Sequence, residues 1–127
     1  MRFLTRGEEK EYKAGMIIFQ EGQLSDNSVY YVIEGNVETT IMNDNETILD
    51  QQLASGSVLG VTACFVKKGK HIATATALTD TKVYVWDKES FIAIVGVYQE
   101  IAKLVITELS KRLRELNKIL ASRKNKE

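Results

Sequence analysis

Val29-Tyr30-Tyr31-Val32-Ile33-Glu34-Gly35-Asn36-Val37-Glu38-Thr39-Thr40-Ile41-Met42 is the stretch whose reading decides the fold. It opens as a β-branched and aromatic run and breaks at Glu34-Gly35-Asn36. It then resumes with Val37, Thr39 and Ile41 on one face and Glu38, Thr40 and Met42 on the other. A period of two is that of a strand, and two such runs about a short glycine turn predict a hairpin. Downstream, Asn43-Asp44-Asn45-Glu46 is a second turn, and Thr47 to Leu53 returns as another strand. Upstream, Met16-Ile17-Ile18-Phe19 lies between Gly15 and Glu21-Gly22. His71 to Leu78 alternates small and β-branched residues, and Thr81 to Trp86 is one strand more. Many short strands at this spacing predict an antiparallel sandwich or jelly roll.

At Asp87 the period changes from strand to helix. Asp87 is the expected N-cap of a helix that starts Lys88-Glu89-Ser90. Gly96 is expected to divide a short helix, 88–95, from a long one, 98–122. The long helix begins with a broad apolar face of Ile101, Ala102, Leu104, Val105 and Ile106. That face narrows to Ile106, Leu109, Leu113, Leu116 and Leu120, which are a and d positions of a heptad repeat. A narrow stripe suits a second helix, so the expectation is a dimer seam. The alternative is a helix packed wholly on its own domain. Ser110, Arg112, Asn117 and Ile119, at the flanking positions, show no charge code.

The chain has 127 residues, with 44% apolar and 27% charged, values ordinary for one globular domain, 1–127. Lys+Arg and Asp+Glu are both 17, which excludes a polycation made for nucleic acid. Residues 1–110 hold 10 basic and 15 acidic side chains, whereas 111–127 hold 7 basic and 2 acidic. There is no proline and nothing that reads as a linker. Cys64 is the single cysteine, so no disulfide framework or Cys-rich zinc site exists, and a reducing cytoplasm is the expected compartment. The N-terminus lacks the apolar core of a signal peptide. The longest apolar run, Phe91 to Tyr98, is too short to span a membrane. One histidine in total excludes the multi-histidine metal centre of a cupin-type oxygenase, and a Ser-His-Asp set cannot be argued from it. No catalytic residue is assigned and no metal is expected.

Four motifs in order carry a resemblance: Gly15 to Gly22, Tyr30 to Val37, Leu53 to Gly60, and Ala73 to Ala77. Phe91 and the helix with Lys111-Arg112-Leu113 also fit. Together they resemble the cyclic-nucleotide-binding domain of the catabolite-activator and FNR-type regulators, over about residues 10 to 115. The resemblance implies a mainly β fold, an antiparallel double-stranded jelly-roll β-barrel at about 8–87 with C-terminal α-helices, the last commonly forming a homodimer. It also implies a phosphate-binding cassette at Gly60 to Ala73. There a short helix would offer backbone N–H groups to a cyclic phosphate, an arginine would fork onto its oxygens, and a glutamate would accept from the ribose hydroxyl. This chain departs from that pattern. Val61 stands at the glutamate position, His71 at the arginine position, and Ile72 at the small hydroxyl-bearing one. Losing the bidentate contact removes roughly 1.5–3 kcal/mol, and with the lost acceptor binding weakens on the order of a thousandfold.

The expected ligand-binding residues are therefore Gly60, Val61, Thr62, Ala63, Cys64, His71, Ile72 and Ala73. Cyclic AMP or cyclic GMP is the candidate ligand, without the family's Glu and Arg; no cofactor is assigned. His71 replaces the arginine only when protonated. Lys67, Lys68 and Lys70 are read as a solvated loop, and the basic stretch 111–126 as an outer helix face. Cys64 and His71 are read as a buried thiol and a loop histidine rather than haem ligands. In the sequence as given, which runs to Glu127, no DNA-binding domain is expected. The leading expectation is a non-enzymatic sensory module signalling through a dimerising helix. The alternatives are a ligand-free structural domain with a filled pocket, or the sensor half of a transcription regulator. An open cavity faced by Thr62 and Thr74 would favour the sensor.

Overall fold

The computed structural model describes residues 2–66 and 68–124. Along them run β1 (Glu8–Tyr12), β2 (Ile17–Phe19), β3 (Ser28–Glu34), β4 (Val37–Asn43), β5 (Glu46–Leu53), β6 (Val58–Leu59), α1 (Val61–Phe65), β7 (Thr74–Ala77), β8 (Thr81–Asp87), α2 (Lys88–Val97) and α3 (Gln99–Lys124). The strands make two antiparallel four-stranded sheets, ordered β1-β8-β3-β6 and β2-β7-β4-β5. Every connection between consecutive strands crosses from one sheet to the other, except β4 to β5. That alternation is a jelly roll, as the strand pattern predicts. It is not a closed barrel: the two sheets remain separate layers.

The expected hairpin at Glu34-Gly35-Asn36 is a correction. β3 pairs with β8 and β6, while β4 pairs with β5 and β7, so the turn is a corner between sheets. The cause is that β3 is central and buried on both faces. Val29 and Tyr31 pack towards the helices, and Tyr30 and Val32 towards the other sheet. Gly35 has φ +100°, and a Cβ there would lie 2.6 Å from Thr81 Oγ1. The corner thus packs against the neighbouring one between β7 and β8. Leu78 N donates to Asn36 O at 2.9 Å, and Asn36 N to Thr79 Oγ1 at 3.0 Å. The tight hairpin is β4–β5, turned by Asp44 and Asn45 at φ 52° and 67°. Positive φ at both central residues gives the turn twist that matches paired strands.

Two cores result. One lies between the sheets: Phe19, Tyr30, Val32, Val37, Leu59, Ala75, Val83 and Val85. The other lies under the helices: Val29, Tyr31, Tyr84 and Trp86 meet Phe91, Ile94 and Ile101. Trp86 is fully buried, and its indole N–H donates to Thr5 O at 2.8 Å. β1, read Glu8-Glu9-Lys10-Glu11-Tyr12, pairs with β8 as an exposed edge without any apolar alternation.

Asp87 caps α2 through its carboxylate, which accepts from Ser90 N at 2.8 Å. The expected break at Gly96 falls instead at Tyr98, and Gly96 lies inside α2. There α3 turns away from α2 by 111°. Ile101 is fully buried and anchors its first turn. Beyond it Ile106, Leu109, Leu113 and Leu120 are exposed. Among the described residues no single helix is long and apolar enough to cross a membrane.

Candidate functional site

Gly60 ends β6 and opens α1 at φ +82°, where a Cβ would also press within 3.3 Å of Ser28 O and the Tyr30 ring. Glycine lets the chain turn sharply there. The turn brings Gly60, Val61, Thr62 and Ala63 opposite His71, Ile72 and Ala73 around a cavity. Phe19, Thr39 and Val58 of the strands line it too, and Val105, Glu108, Leu109 and Arg112 of α3 complete the wall. The free space within it is small, about 30 Å³.

His71 is 5% exposed and stacks on Phe19, with ring centroids 3.9 Å apart and planes 11° apart. Its backbone is fixed as well: its N–H donates to Gln23 O at 2.9 Å, and its carbonyl accepts from Gly22 N at 2.8 Å. Burial lowers the pKa of His71 from its ordinary value, against a weaker upward pull from Asp26. The ring is thereby pushed further from the charged form that would imitate an arginine. Thr39 lies on the inward face of β4, 2% exposed. Its hydroxyl is the one buried side-chain polar atom without a hydrogen-bond partner among the described residues.

α3 contributes the charges. The Glu108 carboxylate accepts from Val58 N through Oε1 at 3.1 Å and Oε2 at 3.2 Å, tying the helix to β6. Burial raises the Glu108 pKa, while the Val58 N–H and Arg112 pull it back. Arg112 stands one turn further on, and its pKa is lowered by burial and raised by Glu108.

Seven of the eight expected ligand residues line this cavity. Cys64 does not: its side chain is buried in the core with Trp86 and Phe91, and burial raises its thiol pKa. Thr62 faces the cavity, but the Thr74 hydroxyl accepts from Glu21 N at 2.9 Å instead. Lys68 and Lys70 are exposed and outside the lining, and the side chain of Lys67 lies outside the described residues, as do residues 125–127. The residues missed from sequence are Thr39, Glu108 and Arg112. Val105, Glu108, Leu109 and Arg112 share one face of α3 by the i, i+3, i+4, i+7 rule, but nothing local says what that face covers, and Thr39 on β4 carries no such signal.

The fold is shared with solved structures of regulators. The catabolite activator protein of Thermus thermophilus matches with a TM-score of 0.74 and 24% identity, covering 94% of this chain and 56% of that one. The CO-dependent transcription factor CooA of Carboxydothermus hydrogenoformans gives 0.75 and 18%, over 94% of this chain and 50% of that one. The c-di-GMP-responsive regulator CLP of Xanthomonas campestris gives 0.77 and 20%, over 92% and 59%. This chain thus spans a little over half the length of such regulators. No curated protein matches it by sequence. The sequence pattern of one family, described as the cyclic nucleotide-binding domain, matches residues 9–98, most of the jelly roll and all of α2. The chain belongs to the cyclic nucleotide-binding domain family.

Proposed function

We propose that this chain is a non-catalytic, cytoplasmic sensing module. A small effector enters the cavity between the 60–73 segment and α3, and its occupancy is passed to α3, which pairs with a second copy. One observation carries this reading: a single cavity is walled both by the cassette and by Val105, Glu108, Leu109 and Arg112 of the long helix. An effector that enlarges so small a space must part the two walls, and so shift the balance between two settings of α3. The apolar stripe Ile106, Leu109, Leu113, Leu116 and Leu120 suits the pairing, because most of it is exposed. In a longer regulator the same helix would lead to an effector domain.

A specific observation favours a second reading. The cavity is small, and the apolar Val61 and Ile72, read from the sequence as standing at the family's polar positions, are part of its lining. In that reading the domain serves for assembly alone. A thermal-denaturation titration with cyclic AMP and cyclic GMP at pH 6 and pH 8 separates the two. Ligand at a hundred times its Kd adds about 2.7 kcal/mol, a rise of several degrees in melting temperature for a domain of this size. A rise with either nucleotide supports the sensor. No rise at millimolar concentration of either leaves the assembly domain as the better reading.

A further inference from the structure

The cavity contains two polar groups that the fold leaves unanswered. The Thr39 hydroxyl is buried with no partner. Arg112 lines the same cavity and, among the described residues, makes no ion pair or side-chain hydrogen bond. The charge acting on it is Glu108, one turn back on α3, whose carboxylate is committed to the Val58 N–H. A desolvated guanidinium without a direct partner is costly, and so is an orphaned hydroxyl. Both costs are relieved by one kind of guest, an oxyanion, which accepts from a forked guanidinium and from a hydroxyl together.

We propose that Arg112 is the anion ligand of this cavity, with the Thr39 hydroxyl as second donor, and that the effector carries a phosphate or phosphate ester. The proposal rests on the sensor reading and deepens it. The cation that the cassette lacks comes from the long helix, so the bond that holds the ligand is itself the link to α3. An anion on Arg112 also competes with Glu108 for its charge, and so weakens the hold of Glu108 on β6.

Four probes test this: cyclic AMP, cyclic GMP, inorganic phosphate, and adenosine as the uncharged control. Each is titrated into the wild type, Arg112→Gln, Arg112→Lys and Thr39→Val, with affinity read from the shift in melting temperature. The expected result is a shift with a phosphate-bearing probe and none with adenosine. Arg112→Gln lowers that affinity roughly tenfold to a hundredfold, and Arg112→Lys restores part of it. Thr39→Val melts higher than wild type without ligand, yet binds the phosphate probe more weakly. That pair of opposite signs is not expected of a threonine with a purely structural role. Binding of the cyclic nucleotides without inorganic phosphate places the oxyanion on a nucleotide; binding of both places it on any small phosphate. Equal affinity of wild type and Arg112→Gln overturns the role of Arg112 while the sensor reading stands. An adenosine shift as large as that of cyclic AMP overturns the oxyanion. No shift of the wild type with any probe overturns both the oxyanion and the sensor.

Discussion

From the sequence, His71 is expected at the position of the family's arginine, and its surroundings make it a poor replacement. A ring stacked on Phe19 and 5% exposed loses hydration when it takes a proton. Its folded pKa is lowered, so between that value and the ordinary 6.5 the unfolded chain binds the proton and the folded chain does not. Stability is therefore full above pH 6.5 and falls as pH drops through this window. Glu108, whose pKa is raised, acts in the opposite sense, so the contribution of His71 is isolated by difference. His71→Phe, which keeps a stacking ring, should lose less stability than wild type between pH 7 and pH 5. Chemical denaturation at each pH checks it, and parallel curves for the two proteins would refute it. At this scale the sequence made Gly60, His71 and Ala73 legible, because their motif is local. Thr39, Glu108 and Arg112 were not, because only the packing of β4 and α3 on the cassette brings them together.

Among the elements, α3 is held to the jelly roll by few contacts. Ile101 anchors its start, and further along the Glu108 carboxylate accepts from Val58 N of β6. Glu108→Ala leaves the Val58 N–H without that partner and should cost about 1–3 kcal/mol. Hydrogen exchange at the Val58 amide should quicken in the same variant, while amides in the centre of β3 change only with global stability. Unchanged exchange at Val58 would show that the tether carries nothing. Helix starts were legible here, since Asp87 three residues before Ser90 is a local signature. The corner at Gly35 was not, since a glycine turn between apolar runs serves a hairpin and a sheet crossing alike. What decides between them is the pairing of β3 with β8, 50-odd residues further along in sequence. β1 left no signal either, because an exposed edge strand needs no buried face.

For the whole molecule, the jelly roll and the helical end share one cavity, and the same α3 that walls it presents an exposed apolar stripe. Leu109 belongs to both, lining the cavity and remaining 39% exposed. On the proposed reading, pairing of α3 and occupancy of the cavity are two bindings to one element, and whatever factor one changes the other by is reciprocal. The order of the main strands and helices was legible because binary patterning sets it, whereas the shared cavity arises only where α3 lies back across the 60–73 segment. Sedimentation equilibrium, with and without whichever phosphate-bearing probe the thermal titration selects, measures that coupling directly. The prediction is a dimer of the 14.3 kDa chain whose association constant moves about fivefold or more on saturation, and a Leu113→Glu variant that is monomeric. A monomer under both conditions, or a dimer whose association constant does not move with ligand, would contradict it.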